Sequence, residues 1–332
     1  MADSIRWQDV LGHEGNIKRL RTMLRDGRLP HALLFSGLLG VGKRKVAHIL
    51  AAALLCRREE APCGDCPSCR AFFAGTHPDY IECAPESRGK GARVIRIDAV
   101  REIEKKVARK PLLSGRFVVL IDEAEAMNEA AANSLLKTLE EPAGDVFFLL
   151  VTARRAALLP TILSRVRVLH FGALSPEVIE RALLARGIAE DQARALAAAA
   201  DGSLSHALLL EEEEGLQLVD DAARTLFSLR TLDTLHLWEK AEELGKLSRA
   251  RAEDWLLALS RLLRDMLVLY AGSAALYHEE RRAALAEALE DFPEARVFAS
   301  LALVREALRR LRSNASQRLL FEGLLLRLRD AR

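Results

Sequence analysis

The chain has 332 residues, half of them hydrophobic, and its formal net charge is only +2. This length suffices for two or three domains, and a nearly balanced charge does not by itself indicate nucleic-acid or membrane binding. The first residues, MADSIRWQDV, lack the basic and apolar regions of a secretory signal, and no apolar run reaches the roughly 18 residues of a membrane span. We therefore predict a cytoplasmic protein without a membrane partner.

Strand-like and helix-like segments alternate through the first half of the chain. The predicted strands are short apolar runs at 32–36, 80–83, 117–121, 147–151 and 166–171. The predicted helices between them include 43–55, 98–108 and 128–141, and Asn128 is a suitable N-cap for the last of these. Such alternation predicts an α/β domain in which helices cover a mostly parallel sheet.

After Gly172 the pattern becomes entirely helical. Three short helices are predicted at 176–186, 190–200 and 203–213, and longer amphipathic helices at 252–269 and 298–312. The acidic run 211–214 is interpreted as a solvated helix end before a linker. These changes predict an α/β domain at 1–171, a small helical domain at 172–213 and an all-α domain at 214–332.

The sequence GLLGVGKR follows the first predicted strand and opens the first long helix, as a phosphate-binding loop does. Its predicted nucleotide-binding residues are Gly37, Gly40, Gly42, Lys43 and Arg44. The last position normally carries a hydroxyl that ligates magnesium, and here it holds Arg44, which has no acceptor atom. The loop could therefore take ATP or ADP, but we expect no Mg²⁺ ligand at position 44.

Acidic and hydroxyl residues end two of the predicted strands. Asp122 and Glu123 follow VVLI, where an Asp can hold magnesium and the neighbouring acid can polarise a water. The alternative is an acidic strand end that caps the next helix. Thr152 ends FFLLV and is a candidate sensor of the γ-phosphate, although a threonine at such a position is usually structural.

Arg165 follows the segment LLPTILS. An arginine here could be supplied in trans to the nucleotide of a neighbouring subunit, where such a finger accelerates hydrolysis by orders of magnitude. The alternative is a surface arginine in an ion pair.

Four cysteines lie close together in the chain, at Cys56, Cys63, Cys66 and Cys69. This spacing predicts a structural zinc site with four thiolate ligands in a reducing compartment, within a module at 56–69. The alternative is a set of reduced thiols without a metal. Cys83, at the end of a predicted strand, is interpreted as a buried core thiol.

The segments WQDVLGHEGNIKRL, IDEAEAMNEAAANSLLKTLEEP and TILSRVRVLHF, in this order, resemble the AAA+ subunits of the bacterial replicative clamp loader. The resemblance implies an AAA+ α/β domain, a helical lid and a helical collar that holds a pentamer together. It implies as partners the gamma/tau and delta subunits of DNA polymerase III, the sliding clamp and, through the complex, primed DNA.

Within that family, three features resemble the non-motor stator subunits of the delta-prime type. They are Arg44 in the loop, the run HPD at 77–79, and Ser205 where motor subunits carry a second sensor arginine. The resemblance then implies an arginine finger at Arg165 and little ATPase activity of the chain alone. The alternatives are an ATP-hydrolysing gamma/tau-type motor and, in another class, a zinc-stabilised DNA-binding module.

Overall fold

The computed structural model describes residues 6–86, 93–142, 144–273, 276–311 and 316–331. They divide into two compact units. The first contains the described residues up to Ile188 together with Gly202–Ser205, and the second contains Ala189–Asp201 and the residues from His206 onward. The three-domain division at 171/172 and 213/214 stays a prediction.

The first unit is an α/β structure. Its strands are β1 (Ala32–Gly37), β2 (Tyr80–Cys83), β3 (Phe117–Ile121), β4 (Val146–Thr152) and β5 (Arg167–Phe171). Its helices are α1 (Glu14–Arg25), α2 (Lys43–Leu55), α3 (Pro67–Phe73), α4 (Ile97–Val107), α5 (Glu129–Glu140), α6 (Pro160–Leu163) and α7 (Pro176–Leu184). Every predicted strand is present and begins and ends within one residue of its predicted bounds.

The five strands form one sheet in the order β2-β3-β4-β1-β5, and every neighbouring pair is parallel. All residues of β3 are buried, because helices cover both faces of such a sheet. The carboxyl ends of the strands share one edge. That edge brings together the loop after β1, Asp122 after β3 and Thr152 at the end of β4, so the predicted α/β class is confirmed.

The second unit is helical. Its elements are α8 (Glu190–Ala199), the larger part of α9 (Leu204–Glu211), α10 (Glu213–Ser228), α11 (Thr234–Lys246), α12 (Arg249–Tyr270), α13 (Arg282–Ala288), α14 (Glu294–Leu311) and α15 (Gln317–Asp330). Trp255 of α12 lies at its core, 1% exposed, with its ring against Phe321 at a centroid distance of 5.7 Å. Its indole N–H donates to Asp221 Oδ2 at 2.8 Å, which satisfies the one polar atom that the ring buries.

Helix ends explain where the sequence prediction differs from the structure. Asn128 is the N-cap of α5, as predicted, and its side chain accepts from the N–H of Ala131 at 2.8 Å. Helix α12 begins three residues before its predicted start, because Ser248 caps it.

The linker predicted after the acidic run is wrong: α9 ends at Glu211 and α10 begins at Glu213. Acidic residues are favoured in a first helical turn, so the run begins a helix as readily as it ends one.

Among the described residues, no helix is both long and apolar enough to cross a membrane.

Candidate functional site

The loop between β1 and α2 has the backbone of a phosphate-binding loop. Gly40 and Gly42 have φ of 76° and 97°, in the left-handed region that favours glycine. A Cβ on Gly40 would also lie 2.3 Å from Ser203 Oγ, so no side chain fits there. Because α2 begins at Lys43, the N–H groups and dipole of its first turn favour an anion at the loop.

Lys43 lies inside this loop and is only 5% exposed. Its ammonium group donates to the carbonyl oxygens of Gly37 at 2.9 Å and Leu38 at 2.5 Å. Burial lowers the pKa of Lys43, and the negative charges of Glu125 and Asp122 partly oppose that shift. A cation is thus fixed at the loop with two carboxylates in range of its charge.

Arg44 lies between two carboxylates at the edge of the sheet. Its guanidinium donates to Glu82 Oε1 at 2.6 Å and lies 3.3 Å from Asp122 Oδ2. The hydrogen bond to Glu82 is the main reason that the pKa of Arg44 is raised. Tyr80 donates from its hydroxyl to Glu82 Oε2 at 3.0 Å and so orients that carboxylate. The carboxylate predicted to hold magnesium is therefore bound to a cation of the chain itself.

The remaining acidic residues at this edge have different partners. Asp122 Oδ1 accepts from the N–H of Glu123, whose φ of 46° is unusual for a residue with a side chain. Glu123 Oε1 lies 3.1 Å from Arg93 Nη1. The second acid of the predicted pair is thus directed into an ion pair in this structure.

Glu125 is a carboxylate of this site that the sequence prediction did not single out. Its side chain is 6% exposed, and its Oε1 accepts from the N–H of Ala153 at 3.1 Å. Its Oε2 is buried and has no hydrogen-bond partner among the described residues. Thr152, fully buried, accepts from the N–H of Arg154 at 3.0 Å. The sequence signal that could have identified Glu125 is an acidic residue two positions after Glu123 in IDEAE.

The segment Gly202–Ser205 packs on the loop within the same compact unit. The N–H of Ser205 donates to the carbonyl of Gly40 at 3.4 Å, and a Cβ on Gly40 would lie 2.6 Å from Ser205 Cβ. The position predicted for a second sensor residue therefore lies directly against the phosphate-binding loop, and a serine occupies it.

Arg165 belongs to a separate set of contacts. Its Nε donates to Glu140 Oε1 at 2.6 Å, and its Nη1 donates to the carbonyl of Thr161 at 2.8 Å and to Ser164 Oγ at 3.1 Å. The side chains of Arg165 and Glu140 are 32% and 47% exposed. The ion pair considered as the alternative exists, and it lies at the surface, where another anion can compete with Glu140.

The four clustered cysteines converge on one point, with their sulfur atoms all within 4.8 Å of one another. Cys56 Sγ lies 4.0 Å from Cys66 Sγ, and Cys63 Sγ lies 3.8 Å from Cys69 Sγ. Four sulfurs about 2.3 Å from a tetrahedral zinc ion are about 3.8 Å apart, so the donor set fits such an ion.

The pKa values of two thiols of this cluster shift in opposite directions. Burial opposes ionisation of Cys66, but the backbone N–H of Cys69 and the neighbouring thiols outweigh it and lower its pKa to about 7. Burial raises the pKa of Cys69. Outside the cluster, Cys83 is buried as predicted, and burial raises its pKa to about 11.

The run HPD joins this cysteine module to the loop at 112–114 of the same unit. Asp79, fully buried, accepts three backbone N–H bonds of 2.6–2.7 Å from residues 112–114. The N–H of Asp79 donates to His77 Nδ1, so the proton of this imidazole is on Nε2, which lies 2.8 Å from Ser68 Oγ and 2.9 Å from Ser114 Oγ. Ser68 belongs to α3, the helix that carries Cys69. His77 and Asp79 thus have a structural role.

A parallel sheet with a glycine loop at its carboxyl edge defines a protein of the phosphate-loop class, here with an arginine in the metal position. Residues 12–175 match the family described as "DNA polymerase III, delta subunit". The chain is 34% identical over 331 residues to "DNA polymerase III subunit delta'" of Escherichia coli (strain K12), which covers 98% of this chain and 96% of that protein. The chain therefore belongs to the family of DNA polymerase III delta' subunits.

Two shorter matches bear on the choice between subunit types. The delta' subunit of Pseudomonas aeruginosa PAO1 is 45% identical over 169 residues, 50% of this chain and 48% of that protein. The tau/gamma subunit of Haemophilus influenzae is 41% identical over 214 residues, 62% of this chain and 30% of that protein. The tau/gamma relative is thus similar over a shorter part of both chains than the E. coli delta' subunit.

Proposed function

We propose that this chain is the stator subunit of the bacterial replicative clamp loader, an AAA+ subunit that supports ATP hydrolysis by its neighbours. In a pentamer with gamma/tau and delta subunits it helps to load the sliding clamp onto primed DNA. The observation that carries the proposal is the pairing of Arg44 with Asp122 and Glu82 at the position where a motor would hold magnesium.

The charge balance at the loop supports the non-motor role. Asp122 is only 15% exposed and already lies against a guanidinium, so a magnesium ion there would meet both a competitor and a repelling charge. Lys43 and the amides of the first turn of α2 are still suited to the phosphates of ATP or ADP. We therefore propose a site that can hold nucleotide without turnover, in which Asp122, Glu123 and Thr152 have lost their catalytic roles.

Arg165 is the residue proposed to act on a neighbouring subunit. In the complex, its guanidinium leaves Glu140 and binds the γ-phosphate of the nucleotide in the adjacent subunit. A phosphate carries more negative charge than a carboxylate and offers a matching pair of acceptor oxygens. Such a finger contributes about 10³–10⁵ in rate in related phosphoryl-transfer systems.

We propose that Cys56, Cys63, Cys66 and Cys69 hold a structural zinc ion. The convergence of the four sulfurs supports this assignment, and four protein ligands leave no coordination position open for catalysis. When bound, the metal would join the start of α3 to the residue that follows α2.

The test of the proposed function is ATP hydrolysis by the reconstituted complex with clamp and primed DNA. Arg165→Ala should lower turnover at least about tenfold, because a transition-state contact is lost. Arg167→Ala, an exposed arginine two residues along, is the matched control and should leave turnover unchanged. Size-exclusion chromatography shows whether each variant still assembles. Full turnover by an assembled Arg165→Ala complex contradicts the proposal.

The similarity to a tau/gamma subunit favours one second candidate, an ATP-hydrolysing motor. Steady-state ATP hydrolysis by the isolated chain, abolished by Lys43→Ala and by Asp122→Ala, would support it. We expect no such turnover.

A further inference from the structure

The second unit contains a pocket of about 370 Å³ that the proposed function does not use. Helices α12 and α14 supply most of its lining, and three arginines lie around it: Arg261, Arg264 and Arg305. Asp201 is the one carboxylate of the lining. Among the lining side chains positive charge therefore exceeds negative charge, and Asp265, outside the lining, offsets the charge of Arg264.

Two of the polar side chains already have partners. Arg264 donates to Asp265 at 3.0 Å, and its guanidinium lies 4.1 Å from the ring centroid of Tyr277. Tyr277 in turn donates from its hydroxyl to Asp201 Oδ1 at 2.6 Å. These contacts form a fixed polar wall on one side of the pocket.

Arg261 and Arg305 differ from Arg264. Neither makes a hydrogen bond or an ion pair within the part of the chain that the structure describes. Arg261 is partly buried, and burial lowers its pKa, while Asp201 is the first of the negative groups that oppose this shift. Arg305 is exposed on α14. Two guanidinium groups of one pocket are thus available to an anion.

Apart from Ser260, the rest of the lining is apolar. Phe298 is 56% exposed, a large ring directed away from the core, and Leu301 lies one turn further along α14. A nucleic-acid backbone would use the arginines and leave this apolar surface without a partner. A peptide that carries an acidic side chain beside an apolar one would contact both the arginines and the apolar surface. Aromatic and arginine side chains that become buried on binding often dominate the energy of protein interfaces.

We propose that this pocket binds an acidic peptide segment of a partner protein. A carboxylate of the peptide lies between Arg261 and Arg305, and a neighbouring apolar side chain packs on Phe298. The proposal concerns a different unit from the phosphate-binding loop and does not depend on the role of Arg165.

The test begins with a random ten-residue peptide library selected on the full chain and, in parallel, on Arg305→Gln and Arg261→Gln. Wild type should enrich peptides with Asp or Glu within three residues of an apolar residue, and both variants should lose that enrichment. Arg309→Gln, on the same helix but outside the pocket, is the matched control and should select the same peptides as wild type.

The most enriched peptide, labelled with fluorescein, is then titrated by fluorescence anisotropy. Because Arg305 is exposed, we expect Arg305→Gln to fold normally and to weaken peptide binding about tenfold. A peptide with Gln in place of each acidic residue should lose at least the same factor in affinity for the wild-type chain. The proposal is overturned if wild type enriches no acidic motif, if the variants select the same peptides, or if a single-stranded oligonucleotide displaces the peptide more strongly than unlabelled peptide does.

Discussion

The phosphate-binding loop and the cysteine cluster, both in the first unit, balance their charges in opposite ways. At the loop, the carboxylates of Asp122 and Glu82 share the guanidinium of Arg44. At the cluster, Arg58 is exposed and already paired with Asp65 at 2.9 Å. The first site therefore supplies its own cation, whereas at the second the positive charge that four thiolates require would come from a bound metal. Whether each site needs a metal follows from this difference.

The largest expected effect is at the cysteine cluster. The purified chain should contain about one zinc ion, and Cys69→Ser should lose it and unfold at a clearly lower temperature, because structural zinc contributes several kcal/mol to folding. Metal content is measured by elemental analysis and stability by calorimetry. Cys83→Ala, outside the cluster, should keep the zinc. A wild-type chain that contains no metal and is indifferent to a chelator would contradict the assignment.

The next effect is at the loop. Arg44→Ser removes the guanidinium from Asp122 and restores a hydroxyl, so binding of a fluorescent ATP analogue should become about tenfold tighter with Mg²⁺ than without it. The wild-type chain should bind the analogue with little dependence on Mg²⁺. Arg57→Ser, just after α2 and away from the loop, is the control. If wild type shows the same gain from Mg²⁺ as Arg44→Ser, the arginine does not replace the metal.

A smaller effect is the pH dependence of stability. Burial lowers the pKa of His77 in the folded chain, so the unfolded chain binds more protons once the pH falls through the ordinary histidine range near 6.5. The free energy of unfolding should therefore decrease as the pH falls from 7.5 to 5, by at most about 1.4 kcal/mol per pH unit for this one group.

The contribution of His77 is measured by urea unfolding at several pH values. His77→Gln should be less stable than wild type at pH 7.5 but should lose less stability on acidification. His170→Gln, at an exposed position, should retain the wild-type slope. An unchanged slope in His77→Gln would show that the imidazole does not carry this dependence.

Much of the first unit was predictable from sequence because buried parallel strands read as continuous apolar runs with polar residues at their ends. The loop, Asp122 and Thr152 were found in this way, and the topology places them at one edge. Asn128 was predictable because a helix cap is a local interaction. The metal fit of the four cysteines followed from their spacing alone.

The partners of these residues were not predictable. Glu82 of β2 and Asp122 after β3 contact the same arginine because β2 and β3 are neighbours in the sheet. The order of strands in a sheet cannot be deduced from a single sequence. The role of Asp79 depends on the N–H groups of a loop more than thirty residues away. Glu125 differs again, since its burial depends on how the chain turns after β3.

The pairing of Arg44 also has a mechanical consequence. One side chain joins the first turn of α2 to the carboxyl ends of two strands, so the phosphate-binding loop and the sheet edge are tied at a single point. In a motor, the corresponding contact is made through a metal and a nucleotide, and it changes in each turnover. Here the contact is made by the polypeptide alone and needs neither a metal nor a nucleotide.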